Sequence, residues 1–288
     1  MWIQKFRKKN TTSCQNIFFL KMSSTPPSPL PSHIKIRNDE YRGRCVIATK
    51  SFLPGETILS TSPQAYLPSE NEERCATCFV KSTSLKKCKG CSYAHYCSRK
   101  CQIVDWKSNG HSKLCKYMVK LRKQLRNESE LSDAILLIKT FTDTSRRDFV
   151  SSMCYHVPTS SSLERSSKRL IHTIQSTVPW ISKCSKEKLL QTLYRFGSNN
   201  FAITDDLLLK TGAGVYPEGA LLNHDCVPNC VVTYDGLVQN IRCIRKIKEG
   251  EELTHSYVDP YHSNTTPHSN TTLHTPTQIR RCVCNDKG

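Results

Sequence analysis

Hydrophobic positions fall along the chain in three rhythms. Between Ile34 and Leu67, the run IKIRNDEYRGRCVIATKSFLPGETILSTSPQAYL has short strand-like segments broken at RG and PG turns, which predicts an antiparallel β module. Residues 116–200 shift to helical spacing: Leu163, Leu170, Ile171, Ile174 and Val178 make one stripe, and Leu189, Leu190, Leu193 and Tyr194 another. Residues 212–259 return to β. There CVVTY-DG-LVQNIRCI reads as a hairpin in which Asp235-Gly236 supplies a type I′ turn and Leu237, Ile241 and Cys243 share one face.

Both ends lack such rhythm. Residues 1–33 are basic and then rich in Ser and Pro, with too little apolar surface to offset ordering entropy, so a disordered arm is expected. Its PPSPLP segment suits a polyproline II spacer. The apolar stretch Ile17 to Leu20 is too short for a secretory h-region, and Met22 is a second candidate start. Near the other end, HSNTTPHSNTTLHT repeats one hexapeptide without a core former, which predicts a loop or disordered insert; the sequons at Asn264 and Asn270 are read as chance matches.

Composition narrows the class. The 288 residues suffice for a sizeable core, which rules out a small disulfide-stapled scaffold, and no apolar run approaches the ~20 residues of a membrane span. Lys and Arg number 42 against 24 Asp and Glu, a net charge of +18 that favours acidic partners or a solvated basic face. The 16 cysteines then have to be explained, and without an export signal metal binding is the better explanation.

Seven of those cysteines, joined by His111, fall into one pattern. Cys75-x2-Cys78, Cys88-x2-Cys91, Cys97-x3-Cys101 and His111-x3-Cys115 are four ligand pairs, each spaced so that one backbone turn presents two donors to an ion. Eight donors make two tetrahedral zinc sites, and spacing alone allows a sequential or an interleaved pairing. CSRKC and HSKLC place donors four apart on a helical face; the CxxC pairs suit knuckles. Residues 74–126 carry 14 Lys or Arg with Asp105 as the single acid, so weak DNA contact is conceivable, but no base-reading pattern is present and a solvated face is the better reading.

CATC, CKGC, YCSRKC, the DW before Gly110-His111, and HSKLC resemble the MYND zinc finger, a protein-interaction module for proline-rich peptides. In that family the pairs interleave, which implies Cys75, Cys78, Cys97 and Cys101 on one zinc and Cys88, Cys91, His111 and Cys115 on the other. GAGVYPEGALLNHDCVPNC and KEGEELTHSYVDP resemble the two motifs of SET-domain lysine methyltransferases, and YRGRCVIATKSFLPGETIL resembles the first SET strands. In this order they resemble the SET and MYND domain (SMYD) family.

The resemblance implies a mixed α+β fold: short SET sheets with a knot-like crossing, split by the finger and a helical insert. The divisions expected are an arm (1–33), first SET strands (34–74), finger (75–115), helical insert (116–200), core SET (201–260) and tail (261–288). It also implies S-adenosylmethionine as cofactor and a lysine of a histone or another protein as substrate, in cytoplasm and nucleus. Tyr257 would be catalytic, and Arg42, Arg44, Asn199, Asn223, His224, Tyr257 and His156 would contact cofactor. A third zinc would use Cys226, Cys282 and Cys284, but Lys287 stands where the family has a further cysteine and Arg280 where it has an aromatic. At the RGR turn, Gly43-Arg44-Cys45 lacks the family's second glycine, which restricts the backbone. A weakly active or inactive form serving as a MYND adaptor is the alternative function.

Overall fold

A computed structural model describes residues 30–257 apart from positions 41, 71, 126 and 159. Most of the expected arm and all of the expected tail, with Cys282 and Cys284, lie outside the described residues. The last residues assigned to the arm join the fold: the Ile34 amide donates to the Pro31 carbonyl and the Thr49 amide to that of His33.

Short strands far apart in sequence build the frame. β1 (Ile34–Asp39) and β2 (Gly43–Ala48) form an antiparallel hairpin that reverses at Gly43, whose φ of 72° lies in the left-handed region open to glycine. β3 (Thr57–Thr61) does not pair with β2. It closes a three-stranded sheet with β10 (Cys230–Asp235) and β11 (Val238–Cys243), while β4 (Ala65–Pro68) pairs with β8 (Lys210–Val215), and β8 with β7 (Asn200–Thr204). Everything between β4 and β7 is therefore an excursion between strands that pair across it. The cysteine-rich segment occupies its first part, with a small ladder of β5 (Lys86–Lys87) on β6 (His95–Tyr96), and helices occupy the rest.

The helices follow their apolar stripes. Asn127 caps the Glu128–Phe141 helix by accepting from the Glu130 amide, acids fill its first turn, and Leu131, Ala134, Ile135 and Ile138 are buried at helical spacing. The Ser161–Thr177 helix buries Leu170, Ile171 and Ile174 and stops where Pro179 starts the next turn, so Val178 belongs to the connection. In the Lys186–Asn199 helix the buried face is Leu189, Thr192, Leu193 and Phe196. The apolar residues of these faces share one core with Ala94, Tyr96 and Leu114 of the finger and with Met118 and Leu121 just after it; a second core under β1–β3 and β11 is built on Val46, Ile58, Leu221, Ile241 and Leu253.

The β10–β11 hairpin turns one residue later than the sequence predicts. Asp235 pairs with Val238, so the loop is Gly236-Leu237, and of these two Gly236 alone has positive φ. A type I′ turn needs two left-handed residues. Leucine resists that conformation, and glycine at the first loop position gives the type II′ pattern instead. Leu237 consequently leaves the strand face and packs with Tyr66, Phe79, Ile203 and Tyr216, and Gln239 joins Ile241 and Cys243 on the buried face.

Candidate functional site

Two strands of two residues each position the first site. β9 (Asn223–His224) lies parallel to β12 (Thr254–His255), with Asn223 opposite Thr254 and His224 opposite His255. Because β12 is also tied to β2, through the Leu253 amide on the Val46 carbonyl, the Asn-His segment is held against the end of the chain's last described strand. Buried Asn229 laces the crossing: its amide nitrogen donates to the Glu252 carbonyl at 2.7 Å and its oxygen accepts from the Thr254 amide at 2.9 Å.

Tyr257 follows β12 directly. Its amide donates to His224 Nδ1 at 3.0 Å and its hydroxyl to the Leu222 carbonyl at 2.6 Å, while its ring sits 5.3 Å from that of His224 and 4.9 Å from that of His255. Tyr257 as a whole is 41% exposed, but desolvation around its inward-turned hydroxyl pushes the phenol up to about 12, against the opposing pull of Arg44, so it carries its proton at neutral pH. His255 is buried, stacks on Phe201 at 5.7 Å, and faces the Ser256 carbonyl through Nδ1 at 3.0 Å; its Nε2 is buried with no hydrogen-bond partner. Desolvation lowers its pKa to about 4, so the ring is neutral.

Beside this aromatic group lies a charged cradle. The Asn223 side-chain nitrogen donates to the Arg44 carbonyl at 2.7 Å and to Glu252 Oε1 at 2.9 Å, and the other Glu252 oxygen pairs with Arg42 at 3.2 Å. Arg42 also donates to the His224 carbonyl, and Arg44 reaches the Ala220 carbonyl while its Nε stays buried without a partner. With both hydrogens of the Asn223 amide used internally, its oxygen is left to accept from a donor. A half-exposed guanidinium for an anion, an amide oxygen for a cation and a spare buried N–H make a cradle that fits the zwitterionic end of an amino acid.

The eight metal donors separate into two groups by interleaving. Cys75, Cys78, Cys97 and Cys101 form one and Cys88, Cys91, His111 and Cys115 the other, with the ligand atoms of each group within 4.8 Å of one another. The separations are 3.5 Å for Cys78–Cys97, 3.6 Å for Cys97–Cys101, 3.7 Å for Cys88–Cys115 and 3.4 Å for His111 Nε2 to Cys88. A tetrahedral ion with bonds of about 2.3 Å to sulfur would space its sulfurs by roughly 3.8 Å, so both groups fit zinc. Burial raises the Cys75 thiol, but the backbone amides of Cys78, Cys97 and Thr77 outweigh it and bring it down to about 7. His111 is desolvated and held below the usual imidazole range, which keeps it neutral, as a ligand must be. Cys101 lies on the Arg99–Ser108 helix, but Cys97 precedes the Ser98 cap and Cys115 follows the His111–Leu114 helix, so each x3 pair straddles a helix end instead of sharing a face.

Among the expected site residues, Arg42, Arg44, Asn223, His224 and Tyr257 converge. Asn199 ends its helix donating to the Cys154 and Arg195 carbonyls at 2.7 and 2.8 Å, two residues before Phe201. His156 stands exposed after the Thr144–Ser151 helix, with no hydrogen bond among the described residues. Exposed Cys226 has its sulfur 3.5 Å from His224 Nε2. Sequence reasoning missed Glu252, Asn229 and His255, although all three lie inside the quoted motifs.

The SET domain family profile matches residues 43–258. The chain is similar to the N-lysine methyltransferase SMYD2-B of Xenopus laevis, 33% identical over 235 residues that cover 76% of this chain and 53% of that protein. It is also similar to the human N-lysine methyltransferase SMYD2, 30% identical over 244 residues covering 76% and 52%. The chain thus spans about half the length of the curated relatives it matches. A solved SET domain of LSMT bound to MeLysine and AdoHcy aligns loosely, with a TM-score of 0.39 at 13% identity over 80% of this chain and 50% of that one.

Proposed function

The chain belongs to the SET-domain family, in its SMYD branch, and we propose that it transfers a methyl group from S-adenosylmethionine to a lysine side chain of a protein. The observation that carries this reading is the parallel crossing that sets Asn223 and His224 against Tyr257. When bound, S-adenosylmethionine supplies a methyl group on a sulfonium.

The chain's own residues would do the rest. Arg42 would hold the cofactor's carboxylate and the Asn223 oxygen its ammonium, both residues being fixed by Glu252. A lysine with a pKa of ~10.4 must arrive or become neutral before it attacks. Tyr257 keeps its own proton at pH 7 and donates it to the Leu222 carbonyl, so it orients the amine and excludes water without acting as the base. Tyr257→Phe removes that hydroxyl, and transfer of labelled methyl to protein lysines is expected to fall by at least about 100-fold with zinc content unchanged. Full activity in that variant would remove Tyr257 from the chemistry.

The same reading gives the finger two zinc ions, one per donor group, and a third involving Cys226 only with ligands beyond the described residues. Exposed Ile103, Val104 and Trp106 on the Arg99–Ser108 helix offer an apolar strip for a proline-rich peptide. Placement in cytoplasm and nucleus goes with thiolate-bound zinc and protein substrates. If a folded, two-zinc protein bound no cofactor, the adaptor function would replace the enzymatic one.

A further inference from the structure

We propose that Asp105 is the outer carboxylate of the second metal group and that, through Lys139, it fastens this group to the helical segment. The proposal rests on the zinc reading given above. Asp105 is the one acid among residues 74–126, set against 14 Lys and Arg, and it is 1% exposed. A carboxylate that deep is tolerated only where its charge is answered.

Three groups answer it. The Tyr96 hydroxyl donates to Oδ2 at 2.8 Å, Lys139 Nζ stands 3.6 Å from Oδ1, and His111 Nδ1 lies 3.7 Å from Oδ2. His111 turns Nε2 toward the sulfurs of Cys88 and Cys91, so Nδ1 is the nitrogen left to carry hydrogen, and it faces the carboxylate. At 3.7 Å this is electrostatic attraction and not yet a hydrogen bond. The order carboxylate, imidazole, metal is the one that fixes a ligand's tautomer and raises its basicity.

Lys139 makes the connection reach further. It projects from the Glu128–Phe141 helix, is 5% exposed, and donates to the Tyr66 carbonyl on β4 at 3.2 Å. One buried ammonium is thereby shared by the finger's carboxylate and the sheet strand that precedes the finger. Without Asp105, Lys139 would be a buried cation lacking its counter-charge; without Lys139, the carboxylate would lose its cation. Other contacts across the seam, Lys113 to the Thr142 carbonyl and Arg146 to that of Ser108, are exposed, where water competes for the same groups. The first metal group has Cys78 and Cys97 at the surface, so loading of the second group is the event coupled to docking of the helices.

Chelator competition on the two-zinc protein, followed with a metallochromic dye, tests the carboxylate. Asp105→Asn, nearly identical in shape, is expected to release one of its two zinc ions about 10- to 100-fold more readily and the other as before. Amide exchange tests the tether: in the wild type, zinc return to the second group slows exchange in the Glu128–Phe141 helix, and in Lys139→Met that response is lost while zinc retention changes little. Unchanged release from Asp105→Asn, or a Lys139→Met helix that still responds as the wild type does, overturns the proposal. A wild-type chain that takes up no zinc at all overturns the zinc reading beneath it.

Discussion

Glu252 has one carboxylate and two tasks: one oxygen holds the Asn223 amide and the other holds Arg42. Removing its charge while keeping its shape, as in Glu252→Gln, leaves Arg42 without its counter-charge and gives Asn223 a competing donor, so cofactor affinity is expected to drop by roughly tenfold with zinc unchanged. Isothermal titration of the cofactor checks this, and an unaltered Kd would contradict the role. His255 predicts a pH dependence. Its pKa is about 4 in the fold, because of burial, against about 6.5 in the unfolded chain. Between those values the unfolded chain binds more protons, so stability is complete above pH 6.5 and falls as pH drops toward 4, by up to roughly 3 kcal/mol. In His255→Phe, which can still stack on Phe201, urea unfolding midpoints should decline less over that range. A slope equal to the wild type's would assign the acid sensitivity elsewhere.

At the scale of elements, the finger was legible and the cradle was not. Each ligand pair is a local pattern, two donors within four or five residues, so spacing announces the metal before any fold is known. The partition into two groups depends on which pair meets which, and the chain had to fold to decide between sequential and interleaved pairing. Glu252 and His255 were harder still: their roles come from the parallel contact of residues 223–224 with 254–255, a long-range pairing that leaves no local period. The hairpin shows the limit of turn rules, since Asp235-Gly236 fits a turn but the register that buries Gln239, Ile241 and Cys243 places Gly236 first in the loop. In the sequence Gly110 is only the step before His111, whereas in the fold its φ is 81° and an added Cβ would lie 2.6 Å from Thr142 Oγ1. Gly110→Ala is therefore expected to cost at least about 1–2 kcal/mol, from left-handed strain with crowding added. Denaturant unfolding measures this, and a neutral substitution would mean that the finger and the helices are less closely fitted than this contact implies.

Over the whole molecule, the sheet framework encloses its own excursion. β3 and β4 find partners only after the finger and helices have been passed, so the cradle cannot assemble until residues before 70 meet residues after 200. One core binds finger to helices and a second lies under the cradle's strands, which separates the two donor groups from the cradle while a shared framework joins them. The net charge of +18 would stay strongly positive with two zinc ions bound, about +15 once seven thiolates and two ions are counted. Among the described residues no helix is long and apolar enough to cross a membrane. The Asn223–Tyr257 crossing is proposed above as a cofactor site, and binding tests this without any choice of substrate. Labelled S-adenosylmethionine titrated onto the zinc-loaded protein should bind saturably, and Asn223→Ala, folded and with its zinc intact, should lose that binding; equal binding by both proteins, or none by the wild type, would contradict it.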